Sequence, residues 1–456
     1  MPRPRTARHP VASPARRAKR ALRGATVAIA TLLGSIAAGA GAEDARADGL
    51  TLRRAIDLSR ENNERARAAE LRVEVAEGQV QSARGAFLPT LTLGLSGTGN
   101  ARSDRNGDNF SGSGTVTLRQ PLLKPSAIPS LRASNFNLDA AKSSATDDLL
   151  GLEFDTARAF IAVVEAQRVL TAANARLERA NADLEDVQAR VDAELVSSND
   201  ATRAKLDVSS AKRAVTSGEA KLGQARLALA LLVGAEVTED VEEASTLVHD
   251  AEAFIGVSAD LSKTAMSNRP DLATLHSQTL AAKASADEPL YRIIPSIDLT
   301  MQFQANPNPA TGTPWDGESA TLSLTWVIFD GGIRYGDKRS RDAQAQQAEL
   351  NEKALERTID SSVRTALVAV GAAQANVKEA KNAVDIAAAN SEETEILYKK
   401  GLARAIELTD ANGSLYDAEV AYAEAQLDLA QAYLDVKLAL GLGAVDRAPR
   451  TPMGTP

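Results

Sequence analysis

Two stretches of the chain alternate apolar and polar residues, and nearly everything around them recurs at helical spacing. In the later stretch Ile297, Leu299, Met301 and Phe303 alternate with Asp298, Thr300, Gln302 and Gln304. After a loop rich in Asn, Pro and Gly, Leu322, Leu324, Trp326 and Ile328 alternate with Thr321, Ser323 and Thr325. A period of two gives a strand one apolar and one polar face. It predicts a hairpin over Pro295 to Gly332, ending in an Asp330-Gly331-Gly332 turn. An earlier hairpin is predicted from Leu88-Pro89-Thr90-Leu91-Thr92-Leu93, a Gly/Asp/Asn-rich loop, and Thr115 to Leu123. Strands of about ten residues match the length that crosses an outer-membrane hydrocarbon layer at a tilt.

The flanking segments read as helix. Thr51 is placed to cap a helix that runs from Leu52 to about Gly85, and a counterpart runs from Leu261 through Asn268-Arg269-Pro270 to about Leu290. No proline lies between Pro129 and Pro270 or between Pro314 and Pro449, as extended helix requires. Ala166, Leu170, Ala173, Leu177, Ala180, Leu184, Val187 and Val191 recur in alternating steps of three and four, as do Val363, Ala366, Val370, Ala373, Val377, Ala380, Val384 and Ala387. Both are coiled-coil seams, and their alanines imply close helix approach. Ser130 to Val196 and Arg334 to Gly401 are each expected as one helix of roughly 100 Å. Each ends at a break and is followed by a returning helix, to about Val233 and about Leu440.

The hairpins and helices are duplicated. Pro89 and Pro295 stand 206 residues apart, as do Asn62 and Asn268, and Leu123 and Phe329. Farther on the step becomes 207, for Leu177 with Val384, Leu227 with Leu434 and Gly234 with Gly441. A nearly constant offset over most of the chain marks a two-fold internal repeat. The expected organisation is a signal peptide over 1–42, a first repeat over 43–234, an acidic connector over 235–259, a second repeat over 260–443 and a disordered tail over 444–456.

Charge and composition narrow the function. Eight basic and no acidic residues lie between Arg3 and Arg23, before an apolar run from Ala25 to Ala38 and the small-residue sequence Ala40-Gly41-Ala42, the pattern of a cleaved export signal. Ala45-Arg46-Ala47 offers a second cleavage position. Removing those eight positive charges takes the formal net charge from −8 to −16, which excludes nucleic-acid binding by bulk charge. With no cysteine, the chain has neither disulfides nor a lipid-attachment thiol, so membrane attachment must come from the fold. His249 and His276 show no metal-ligand spacing, and no nucleophile motif or phosphate loop is present. No catalytic residue, metal or cofactor is expected, and the protein is read as a non-enzyme.

Four membrane strands do not close a barrel. Single-chain outer-membrane barrels begin at eight, and an open sheet in lipid leaves edge groups unpaired at several kcal/mol each. The strands therefore demand an oligomer, which could have two, three or four chains.

The chain closely resembles the TolC-like outer-membrane efflux, or channel-tunnel, family. The resemblance is carried by Leu50 to Leu58 with Asn62-Asn63, the two strand starts at Pro89 and Pro295, Trp326 to Arg334, and Tyr398-Lys399-Lys400-Gly401 running on to Ala418-Glu419. It implies a mostly α homotrimer with a transmembrane β-barrel of twelve strands, four per chain, joined to a periplasmic α-barrel of long antiparallel helical hairpins. The connector would belong to a belt around the middle. The implied role is an exit duct in the outer membrane, reaching into the periplasm and serving a tripartite efflux or type I secretion system. Its implied partners are outer-membrane lipid, a periplasmic adaptor (membrane fusion) protein and an inner-membrane transporter. A structural periplasmic coiled-coil adaptor or envelope scaffold is the alternative.

The resemblance also implies a gate at the hairpin tips. Aligning Tyr398 to Gly401 with the family's tip pattern puts Glu407 and Asp410 at the positions of the gate's acidic ring, with Glu at the first where Asp is commoner. Six carboxylates around one axis would raise one another's pKa and attract cations. Family members latch the tips with a Tyr and an Arg against an acid. Tyr398 and Asp200 match, but Ala403 stands at the Arg position, with Arg404 one residue later. Leu195, Val196, Gly401 and Leu402 lie at the turns that relatives present to the adaptor.

Overall fold

The computed structural model describes residues 49–99, 110–238, 241–242, 245–256, 258–305 and 316–445. The expected signal peptide and all but the first two residues of the expected tail lie outside this set. The elements run α1 (Leu52–Asn62), α2 (Glu64–Gly85), β1 (Thr90–Gly99), β2 (Phe110–Leu123), α3 (Ala127–Asp192), α4 (Ser198–Val233), α5 (Ser245–Ala253), α6 (Ser258–Asn268), α7 (Pro270–Tyr291), β3 (Ser296–Ala305), β4 (Asp316–Thr325), α8 (Ile333–Lys399) and α9 (Ala405–Ala439). One order of elements thus occurs twice: two short helices, a strand pair, a long helix and a returning helix.

The four strands form one antiparallel sheet in the order β1-β2-β3-β4. β2 and β3 join the two halves through a register that sets Val116 opposite Phe303 and Leu118 opposite Met301, with an irregularity between Pro121 and Leu123. Proline cannot donate to a ladder, so the shift falls where the pairing has least to lose. β4 ends at Thr325, short of the expected Ile328. Arg334 is the cause: its Nη2 donates to the carbonyls of Val327 and Ile328 at 3.1 and 3.2 Å, and its Nε donates to Asp330. Carbonyls held by a guanidinium are drawn away from ladder pairing, and Trp326, Val327, Ile328 and Phe329 beyond β4 are all exposed rather than alternating.

α3 and α8 hold 66 and 67 residues, about 100 Å each at the α-helical rise. Ala166, Ala173, Ala180 and Val187 of the α3 seam are buried, as are Val363, Val370 and Val377 of α8. The larger Leu170, Leu177 and Leu184 lie at the rims of the clusters. At Gly218 of α4 an added Cβ would fall 3.2 Å from Leu170, the close approach that small residues permit.

The helical segments that precede the two hairpins are broken rather than continuous, into α1 and α2 and into α6 and α7. Asn63, extended at φ −80 and ψ 133, ends α1 and caps α2 through its Oδ1. Its Nδ2 donates to the carbonyl of Leu232, and that of Asn62 to Val233, satisfying carbonyls that the end of α4 leaves open. Gly234 sits against this joint at φ +70, where an added Cβ would lie 2.7 Å from Asn62 Cβ. In the second half Arg269 is extended, Pro270 opens α7, and Gly441 at φ +70 lies against the Arg269 backbone. Both breaks dock onto the glycine that ends a returning helix.

The principal core lies between these joints, with Ile56, Phe154, Phe160, Ile161, Leu229 and Leu434 fully or almost fully buried. The connector contains α5, whose Leu247, Val248 and Ala251 are buried. Ala444, expected to begin a disordered tail, is instead buried in the core, and its carbonyl accepts from Lys437 Nζ at 3.4 Å.

Candidate functional site

Helix ends shape the tips first. α3 closes with the N–H of Leu195 on the carbonyl of Arg190, and α8 with that of Leu402 on Leu397, each at 2.9 Å. Both are Schellman-type ends, which need a left-handed residue at the turn. α8 supplies Gly401 at φ +73, whereas α3 supplies Glu194 at φ 57. The next residues project outward: Leu195 is 74% and Leu402 73% exposed. Val196 is half-buried.

Behind the turns, Val187, Ala201, Ala204, Tyr398, Ala405 and Leu408 form a small core, with Ala403 at its rim. Ala403, which replaces the expected Arg, therefore packs. Arg190 ties the hairpins together: its Nη1 donates to the carbonyl of Tyr398 at 3.1 Å, its guanidinium lies 4.6 Å from the Tyr398 ring centre, and its Nε bonds Asp186. Sequence reasoning missed Arg190. The buried Tyr398 hydroxyl has no hydrogen-bond partner among the described residues, and burial raises its pKa.

The expected latch residues are near the tip but bonded elsewhere. Asp200 accepts from the N–H of Ser197 in a capping box at the start of α4. Arg404 turns to Glu407, donating from its backbone N–H at 3.1 Å and from Nε at 3.0 Å. Among the described residues no hydrogen bond or ion pair joins Asp200 to Tyr398 or Arg404. Glu407 and Asp410 both stand exposed on the first turns of α9. Within the chain the Arg404 backbone N–H, and then its side chain, hold the Glu407 carboxyl below its ordinary pKa.

Farther from the tip, polar layers link the hairpins. Ser391 of α8 donates to Asn412 Oδ1 of α9 at 2.7 Å, and Asn412 Nδ2 donates to Asp183 of α3 at 2.8 Å. Burial, foremost, and then the charge of Glu395 push the Asp183 pKa up to about 6 against the bond from Asn412, with Asp207 and Asp186 adding to the rise. Beyond it Arg176 pairs with Asp207 and Arg179 with Glu419. The sequence signal for this layer is a polar residue at core spacing: Asn412 lies between Leu408 and Leu415, and Ser391 continues the step from Val384 and Ala387.

At the other end of the helices the sheet is a single open layer, with both registers of β1 exposed. Leu91, Leu93, Leu95, Leu322 and Leu324 are between 63% and 78% exposed, an apolar surface rare on soluble proteins. The opposite face is lined mainly by Thr and Ser, and β1 and β4 each pair on one side only. No helix among the described residues is long and apolar enough to cross a membrane. No group among them has the composition and spacing to hold a metal, and His276 lies against Glu352.

A family model described as outer membrane efflux protein matches residues 55–235 and 261–442. Nodulation protein T of Rhizobium leguminosarum bv. trifolii is 26% identical over 387 residues, which is 82% of this chain and 81% of that protein. A membrane protein from Pseudomonas aeruginosa shares the fold with a TM-score of 0.74 at 20% identity, over 86% of this chain and 92% of its own. The open-state MtrE outer membrane channel of Neisseria gonorrhoeae gives 0.71 at 22% identity, over 86% and 89%. The VceC outer membrane protein of Vibrio cholerae gives 0.71 at 18% identity, over 86% and 97%.

Proposed function

The chain belongs to the outer membrane efflux protein family, and from that premise we propose that three copies close into a passive exit duct. The duct receives its cargo from an inner-membrane transporter through a periplasmic adaptor, in a tripartite efflux or type I secretion assembly. The observation that carries this reading is the open four-stranded sheet with a bare leucine face. Lipid covers such a face at no desolvation cost, and pairing of β4 with the next copy's β1 removes the unpaired edges. An adaptor or scaffold would need protein over that face, and none of the described residues provides it.

In the assembled duct the tips form the periplasmic entrance. Glu407 and Asp410 of three copies ring it and attract cations, while Leu195, Val196, Gly401 and Leu402 offer apolar knobs and a turn to the adaptor. The latch of Asp200, Tyr398 and Arg404 would form between copies, with Arg404 leaving Glu407. Exposed Arg404 and half-buried Asp200 lie within the same tip as the buried Tyr398, whose hydroxyl has no partner among the described residues, and this supports the reading. Single-channel recordings test it. The native protein should conduct and be blocked from the periplasmic side by trivalent cations, and changing both Glu407 and Asp410 to Ala should weaken that block by at least about tenfold. Undiminished block in the double variant would remove both residues from the gate.

A further inference from the structure

Among the described residues of the sheet, the face lined by Thr and Ser carries a single ion pair. The charged residues of the described strands are Arg119, Asp298, Asp316 and Glu318. Asp316 and Glu318 stand opposite Ala305 and Phe303 at the far end of the leucine-bearing register. Arg119 and Asp298 belong to the other register, among Thr90, Thr117, Thr300 and Thr321. They lie at the end of the sheet that meets the helices, where the next residue, Gln120, bonds the Phe87 carbonyl.

The two charges are not equally placed. Arg119 Nε donates to Asp298 Oδ1 at 3.2 Å, yet the Arg119 side chain is 60% exposed and that of Asp298 only 16%. The carboxylate sits back against the sheet and the guanidinium stands forward of it. β2 is an inner strand, so pairing between copies at β1 and β4 leaves Arg119 uncovered. A charge on a wall that faces a water-filled bore is felt by passing ions at short range, before salt screens it within about 8 Å.

The geometry points to Arg119 as a residue that sets charge preference at the junction of sheet and helices, with Asp298 as its positioning residue. The inference rests on the duct reading, which puts the Thr/Ser face inward. Three forward guanidinium groups then ring the bore and favour anions, or the acidic group of a larger solute, at this level. The preference is opposite in sign to that of the carboxylates at the tip, so the duct meets its cargo with acid at the entrance and base beneath the barrel. A purely structural pair would serve only to fix register beside the Pro121 irregularity.

Reversal potentials across a potassium chloride gradient separate the two roles. With the tip carboxylates unchanged, Arg119→Ala should shift the cation-to-anion permeability ratio toward cations by about threefold. Asp298→Asn should shift it toward anions, and Arg119→Lys, which keeps the charge, should hold the native ratio. Asp298→Asn decides the matter if Arg119→Ala fails to assemble. Conducting variants that all keep the native ratio would overturn the inference and leave the duct intact. A native protein that never conducts would instead overturn the duct reading and this inference with it.

Discussion

Glu194 and Gly401 occupy the same place at the ends of α3 and α8, and only the glycine suits it. A left-handed backbone costs a residue with a Cβ roughly 1–2 kcal/mol, and the Glu194 side chain is exposed, with no hydrogen bond among the described residues to offset that cost. Glu194→Gly should therefore stabilise the protein by about 1 kcal/mol, read as a higher denaturant midpoint of the helical signal. An unchanged or lower midpoint would mean that the side chain holds a partner in the assembled protein. At this scale the sequence spoke unevenly. Thr51 shows its capping role by type and place, and the N–H of Arg54 bonds it at 3.1 Å. Arg190 gave no sign, because a basic residue near a helix end has many uses and its partner is 208 positions away. Arg404 was legible as a departure from the family pattern, but its bond to Glu407 depends on how the turn is wound.

Long helices were the most legible elements, since a seam repeated over dozens of residues leaves few alternatives. Their breaks were not. Asn62-Asn63 interrupts the helical pattern by no more than a polar pair, Asn268-Arg269 is followed by Pro270, and at each break a glycine distant in sequence closes on the joint. The same separation hides the layer of Ser391, Asn412 and Asp183, which comes from three helices. That layer makes the α3–α9 contact sensitive to pH. Asp183 faces Glu395 from α8, Asp207 from α4 and Asp186 on its own helix, and its pKa lies at about 6 instead of an ordinary 3.8. Because the folded value is the higher one, the stabilising contribution is complete below pH 3.8 and is lost as the pH rises through about 6. The tip helices should therefore be protected more strongly from hydrogen exchange at pH 5 than at pH 7.5, after correction for intrinsic rates. Asp183→Asn, neutral at both values, should remove the difference; if it persists in that variant, its source is another group.

For the whole molecule the outcome turns on one incomplete element. Period-two alternation showed four strands and their apolar face, and the duplicated frame showed that the hairpins belong together. The sheet that joins them, with β2 against β3, is a pairing over roughly 180 positions that no local pattern states. A single chain ends with two open edges, and neither helix packing nor the buried core has any means to close them. Closure by three copies, as proposed above, would pair the open edges of the four described strands and turn the bare leucine face to lipid. The native mass of the detergent-extracted mature protein tests this most directly. Three chains per particle, stable only in detergent or lipid, is the predicted result, and a single chain that stays dissolved in plain buffer would contradict it.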